Sequence, residues 1–166
     1  MTAFVDLFEG IREQGGRELG LTEWFTIDQV KNDIFGHLTR DRQQQYSDSE
    51  WAKSNAPNGT TVVNPLFTLA LHAGLSLEMG IPIRTTEEVT AFNYGYDSVT
   101  WNAPIPVGGK IRARVTVTAV DERRPGHFMA KVRVDYEVEG ATEPAVVAET
   151  ALYCLPPHEV EEVKAD

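Results

Sequence analysis

The sequence predicts an α+β domain in which a curved antiparallel sheet wraps around a buried central helix. Three observations lead there. The C-terminal half alternates apolar and polar residues with period two, the pattern of a sheet with one wet face. The segment "NPLFTLALHAGLSLEM", Asn64 to Met79, is apolar almost all round, so something must cover most of its circumference. And 166 residues, 42% of them hydrophobic, fit one domain able to bury a single core without staples.

The elements can be justified in order. "AFVDLFEGIREQ" puts Phe4, Leu7, Phe8 and Ile11 on one helical face and reads as a docking helix that ends at Gly15-Gly16. In "TIDQVKNDIFGHL", Thr26 and Gln29 have capping-box spacing, and Ile27, Val30, Ile34 and Leu38 follow the helical period. Asp41 falls just past that helix. Ser47 and Glu50 repeat the capping spacing ahead of a short helix through Trp51 and Ala52. Asn64 is a good N-cap for the apolar helix, and Pro65 suits its first position because the N–H it lacks would be unpaired there.

Four strands follow. "KIRARVTVTAV" sets Ile111, Ala113, Val115, Val117 and Ala119 against Arg112, Arg114, Thr116 and Thr118. "FMAKVRVDYEV" turns Ala130, Val132, Val134, Tyr136 and Val138 inward; "AVVAETALYCL" is a third strand and "YDSVTWNAP" a fourth. Gly108-Gly109, Pro125-Gly126 and Gly140 punctuate them. The end, "PPHEVEEVKAD", is acidic and expected to fray.

Composition excludes several functions. The formal net charge of −10 argues against a nucleic-acid surface. No apolar run reaches a membrane span of about 18 residues, and no membrane partner is expected. The lone Cys154 forms no internal disulfide and no zinc thiolate cluster. His37, His72, His127 and His158 are too scattered for zinc, and no Gly-rich phosphate loop, nicotinamide seat or flavin seat is visible. No metal and no cofactor are expected. The N-terminus carries Asp6 and Glu9 early and lacks a basic region, so cytoplasmic residence is the default expectation.

A helix wrapped by an antiparallel meander is the outline of a hotdog fold, although the periodicity alone also allows other α+β sandwiches. Two stretches narrow it. "FNYGYDSVTWNAPIPVGGKIRARVTV", Phe92 to Val117, resembles the second half of the MaoC-like and NodN-like acyl-thioester dehydratases. Its Asn93-Tyr94-Gly95 run leads into a strand, then a Pro-x-Pro-Val-Gly turn, then another strand. "GTTVVNPLFTLALHAGLSLEMG", Gly59 to Gly80, is similar to that family's central helix and its approach. The resemblance covers roughly Leu19 to Leu155. It implies a hotdog domain over residues 19–155, a helical extension over 1–18 and an acidic tail over 156–166. It also implies dimers or higher hotdog oligomers with the site near the subunit interface.

Active members of the family hydrate a trans-2-enoyl thioester or run the reverse dehydration. They use an aspartate and, five positions on, a histidine. A backbone amide at the start of the central helix polarises the thioester carbonyl. The chemistry needs an acid and base near neutral pKa and a donor aimed at the developing enolate oxygen. Carried onto this chain, the aspartate is Asp41 and the histidine position holds Tyr46. A tyrosine of ordinary pKa near ~10 is a poor base at pH 7 and mainly donates a hydrogen bond. The family's glycine falls on Asn64 when counted without gaps from Tyr46, or on Pro65 when aligned on "TLAL". Pro65 has no N–H, so the amides of Leu66 and Phe67 are the expected substitutes.

The resemblance thus makes Asp41 and Tyr46 candidate catalytic residues and Asn64, Leu66 and Phe67 candidate substrate-binding residues. Plainer roles stand beside them: a loop carboxylate for Asp41, a packed aromatic for Tyr46, an N-cap for Asn64. His37 could reach Asp41's face if the helix continued, but a solvated histidine near a helix C-terminus is the simpler account. His72 reads as a core or interface histidine. Arg112, Arg114, Arg123, Arg124, Lys131 and Arg133 could meet coenzyme A phosphates, but their strand alternation fits a solvated sheet face better. The implied partner is an acyl-CoA or acyl-carrier-protein thioester, undergoing reversible hydration at the 2,3-position. Two alternatives follow from Tyr46: a catalytically silent hotdog subunit of a hetero-complex, or an acyl-thioester binding module without turnover.

Overall fold

Chain order in the computed structural model, which describes residues 3–72, 74, 87 and 89–156, sets helices before sheet. The helices α1 (Ala3–Glu13), α2 (Gln29–Thr39), α3 (Gln44–Ser47), α4 (Ser49–Asn55) and α5 (Pro65–Ala70) are interrupted early by β1 (Arg17–Leu21) and β2 (Phe25–Thr26). Then come β3 (Thr90–Trp101), β4 (Lys110–Arg124), β5 (His127–Val138) and β6 (Val146–Leu155). They form one antiparallel sheet of six strands in the order β1-β4-β5-β6-β3, with β2 also paired to β4. The β4–β5 and β5–β6 connections turn at Gly126 (φ 77°) and Gly140 (φ 82°), left-handed backbone that a Cβ would strain.

The expected alternation builds the core. Ile111, Ala113, Val115 and Val117 of β4 are buried, as are Ala130, Val132, Val134 and Tyr136 of β5. One position differs. Ala119 faces solvent and Val120 is buried, because the register shifts between Val117 and Ala119. A bulge of one residue moves every later side chain to the opposite face. The fourth strand also starts earlier than its sequence pattern suggests, at Thr90, and its pairing with β6 is twice shifted in register.

The N-terminal helix docks as its periodicity requires. Phe8 and Ile11 are fully buried, and the Phe8 ring meets Phe128 of β5 with centroids 5.2 Å apart. Each such side chain contributes roughly 1.5–3 kcal/mol of burial. Both capping-box expectations are replaced by aspartates one residue from the expected caps or two. Asp28 caps α2 by accepting from the Lys31 amide, and Asp48 caps α4 by accepting from the Trp51 amide. Thr26, expected as a cap, lies in β2 instead.

Two helices present faces that periodicity alone does not reveal. On α2 the residues turned inward are Asn32 and Gly36, while Val30, Ile34 and Leu38 are 67%, 55% and 75% exposed. On α5, Thr68 is buried and Phe67 and Leu69 pack on the sheet core, yet Leu66 remains 57% exposed. The sheet side of α5 is thus buried at Thr68 and half-buried at Phe67 and Leu69, and Leu66 turns away from it. The expected continuation of this helix through residues 75–79, and the tail from 157 onward, lie outside the described residues.

Candidate active site

Helix α2 ends just before Asp41. Arg40 takes a left-handed conformation (φ 63°, ψ 13°) just past Thr39, and the chain folds back over the helix. Gly36 makes room for it: a Cβ there would lie 2.8 Å from the Asp41 carbonyl oxygen. This reversal, rather than helical continuation, sets the position of Asp41. No hydrogen bond joins it to His37, whose Nδ1 instead accepts from the Arg42 guanidinium.

The Asp41 carboxylate is held from both sides. Its Oδ2 accepts from Asn64 Nδ2 at 2.8 Å and its Oδ1 from Gln43 Nε2 at 2.9 Å. Asn64 is 1% exposed, so one carboxylate oxygen meets a buried donor while the residue as a whole stays half-buried. Two candidates that are 23 positions apart are thereby brought together.

Asn64 is placed by Asn32, a residue that neither motif nor periodicity singles out. Asn32 Oδ1 accepts from the Asn64 amide at 3.0 Å, while its Nδ2 donates to the carbonyls of Tyr46 at 2.9 Å and Val62 at 3.0 Å. Gln29 adds a second donor to the Tyr46 carbonyl at 2.8 Å, and the Val62 amide donates to the Gln45 carbonyl at 2.9 Å. Side-chain amides of α2 thus tie α3 to the approach of α5. A weak signal existed: an asparagine four residues before a glycine inside an otherwise regular helix, the two spaced to share one face.

Tyr46 is anchored by its carbonyl, and its side chain is left to line space. It borders a cleft of 560 Å³ with Ile34, Gly36, His37, Leu38 and Asp41. Tyr46 and Asp41 therefore face one cavity. The two remaining candidates arrive differently. The Leu66 amide donates to Asn64 Oδ1 at 3.0 Å, and the Phe67 amide to the Asn64 carbonyl at 2.9 Å. Both expected carbonyl donors are occupied. The Phe67 ring stacks on Phe35 at 4.8 Å, locking α5 against α2.

Asp33, His37 and Arg42 also border this cleft, while the titratable groups elsewhere in the chain take other roles. Burial holds the His72 imidazole below its ordinary pKa, so it is neutral at pH 7. Burial pushes the Cys154 thiol up to about 12, leaving it an inert core group. Arg112 and Arg114 both bond Glu137, at 2.7 and 3.1 Å, and Arg133 bonds Asp135, as a charged sheet face does. Among the described residues no three His, Cys, Asp or Glu side chains gather to hold a metal ion.

Gly36 supplies a direct test of the geometry. Gly36→Ala is expected to push the Asp41 backbone away, costing about 1–3 kcal/mol of stability by overpacking. Any Asp41-dependent turnover should fall about tenfold or more through the displaced carboxylate, since a misplacement of about 1 Å can cost ~10²-fold. Comparing melting temperature with turnover would check it; unchanged turnover would mean that the carboxylate is not placed by this contact.

A family model described as "MaoC like domain" matches residues 12–141. The 3-hydroxyacyl-thioester dehydratase Z of Mycobacterium tuberculosis is 37% identical over 136 residues, covering 81% of this chain and 87% of that protein. Nodulation protein N of Rhizobium leguminosarum is 31% identical over 133 residues, covering 80% and 81%. Among solved structures, the HadBC (3R-hydroxyacyl-ACP dehydratase) complex of M. tuberculosis superposes with a TM-score of 0.66 at 17% identity, covering 82% of this chain and 96% of that one. That last likeness is one of fold.

Proposed function

This chain belongs to the family of MaoC-like domains, and from that premise we propose that it acts on an acyl thioester, adding water to a trans-2-enoyl group or removing it from a 3-hydroxyacyl group. The observation that carries the proposal is the Asp41 carboxylate, held by Asn64 and Gln43 and bordering the cleft that Tyr46 and the apolar Ile34 and Leu38 share with it. A carboxylate with its oxygens fixed by amide donors can orient a water and accept its proton as the oxygen adds to the β-carbon, the C=C electron pair passing to the thioester as an enolate whose α-carbon then takes that proton back. Tyr46 supplies a hydroxyl to donate to that water or to the thioester oxygen; it does not serve as the base. The Leu66 amide can polarise the carbonyl only by leaving its cap on Asn64 Oδ1. Coenzyme A or a carrier protein would present the acyl group, and cytoplasmic residence, which the lone Cys154 favours, goes with this function.

The test is loss of enoyl absorbance when the purified protein meets crotonyl-CoA and longer trans-2-enoyl-CoAs. Turnover supports hydratase chemistry. No turnover at any chain length, from folded protein, sinks it.

A second function is favoured by two specific observations: a tyrosine at the histidine position, and helix amides already bonded within the chain. Both fit a silent subunit that shapes the acyl site of an active partner, and a hetero-complex is among the fold's solved relatives. Isolation of this chain with a second hotdog subunit from its native source would favour that role.

Either role is compatible with an oligomer. The α2 stripe of Val30, Ile34 and Leu38 and the nearby Leu66 are exposed, and β3 is a sheet edge of 12 residues carrying exposed Tyr94, Tyr96 and Trp101. Among the described residues this is an edge strand with exposed aromatics, and such an edge invites pairing. A dimer is expected, and Ile34→Asp should shift the mass measured by light scattering from dimer towards monomer; an Ile34→Asp protein that stays fully dimeric would remove α2 from the interface.

A further inference from the structure

Hydration at the 2,3-position develops negative charge on the thioester oxygen, and a hydrogen-bond donor must meet it there. The donors expected from α5 are committed: the Leu66 and Phe67 amides bond Asn64, and Pro65 has no N–H. Around the Asp41 cleft, Asn32 Nδ2 already serves two carbonyls, and the Ser47 hydroxyl donates to the Gln43 carbonyl at 3.2 Å. Tyr46 also borders a second cavity, of 280 Å³, beside Gln45, Trp101 and Asn102, so its hydroxyl is not confined to the cleft. That leaves His37 and Arg42.

The two are bonded to each other. A guanidinium only donates, so the His37 Nδ1 that meets Arg42 is the bare ring nitrogen, and the ring hydrogen sits on Nε2. Among the described residues that Nε2–H has no acceptor, and Arg42 has no carboxylate partner. The arginine charge therefore acts on the imidazole and makes its Nε2–H a stronger donor. Asp41 folds back over Gly36, the residue before His37, and both side chains border the same cleft.

We infer that His37 is a catalytic residue whose Nε2–H holds the thioester oxygen as the enolate forms, and that Arg42 is the positioning residue that fixes its tautomer. The inference rests on the acyl-thioester function proposed above and divides the work within it. The C=C electron pair moves onto the carbonyl oxygen while the water oxygen bonds the β-carbon. The water's proton passes to Asp41 and then to the α-carbon. His37 exchanges no proton and keeps its hydrogen on Nε2 throughout.

Three variants test it: His37→Leu removes the donor, His37→Gln returns an N–H at similar reach, and Arg42→Leu frees the ring. Both positions are exposed, so all three should melt within about 2 °C of wild type. The assay uses the trans-2-enoyl-CoA that the wild type turns over fastest. His37→Leu should lower kcat about tenfold to a hundredfold, less than the ~10²–10³ of a donor in a dry site because His37 is exposed. KM should stay within about threefold, since the bond strengthens only as charge develops. His37→Gln should recover part of the loss, and Arg42→Leu should lose less than His37→Leu. Nitrogen-15 NMR of histidine-labelled protein at about pH 8.5, where an ordinary imidazole carries one ring hydrogen, gives a readout free of turnover. The His37 hydrogen should lie on Nε2 in the wild type, with the share on Nδ1 rising in Arg42→Leu. A His37→Leu kcat within about threefold of wild type, a loss confined to KM, or a wild-type hydrogen on Nδ1 overturns the inference and leaves the thioester function standing. Folded wild-type protein that turns over no trans-2-enoyl-CoA of any length overturns the thioester function and this inference with it.

Discussion

Asp41→Ala is expected to lower trans-2-enoyl-thioester turnover by about 10²–10⁴-fold, the range a positioned general base contributes. The geometry makes this the residue with most at stake. Its carboxylate borders the cleft beside Tyr46 and is fixed on both oxygens, at 2.8 and 2.9 Å. Removing it also leaves the buried Asn64 Nδ2 without its acceptor, at a cost of about 1–3 kcal/mol. Asp41→Asn separates the two effects. It keeps an oxygen for Asn64 and the shape of the loop but cannot take a proton. Equal loss of turnover in both variants, with stability kept in the asparagine, would assign the loss to proton transfer. Turnover within about threefold of wild type in both would show that Asp41 is a structural carboxylate. Tyr46→Phe then asks a narrower question, whether the hydroxyl matters to kcat.

Asn32→Ala is expected to carry the largest stability effect of any polar substitution near the site, about 3 kcal/mol. The side chain is 1% exposed and serves three backbone groups, the Asn64 amide and the carbonyls of Tyr46 and Val62. Alanine strands them in a space with little water, and Gln29 can still serve only the Tyr46 carbonyl. For a chain of this size the melting temperature should fall roughly 6–12 °C. Turnover should fall with it, because Asn64 loses the partner that sets its backbone. Asn32→Asp keeps the acceptor but turns anionic oxygens toward two carbonyls, and should be at least as harmful. A melting shift under about 2 °C in both variants would mean that α2 is held to the α5 approach by something other than this side chain.

Asn32 also marks the boundary of what the sequence discloses. Its three partners come from 14, 30 and 32 positions away. Nothing local to "QVKNDIFGHL" distinguishes an asparagine that staples from one that faces water. The same helix shows why. Period 3.6 identifies Val30, Ile34 and Leu38 as one stripe, but a stripe says only that some surface must cover it. Here the chain buries the opposite face, and the stripe stays exposed.

Other parts were legible because their causes are local. Alternation on β4 and β5 decides which residues point inward, since successive strand side chains must face opposite ways. It fails at Ala119, where one extra residue in the ladder reverses the alternation. Asn64 and Pro65 announce the start of α5 because capping and the missing proline N–H act within one turn. The family motif singles out Asp41 as a candidate because it is a short pattern read along the chain.

By itself, then, the sequence determined the sheet, the docking of the first helix and the cap of α5, all of which follow from interactions between residues near in the chain or repeated along it. Tertiary structure alone decided that Asp41 turns back over Gly36 to meet Asn64, that the Leu66 and Phe67 amides are already taken, and that Tyr46 stands between two cavities. Those outcomes depend on which distant backbone groups arrive at the same place, and a buried donor takes whichever acceptor the packing brings to it.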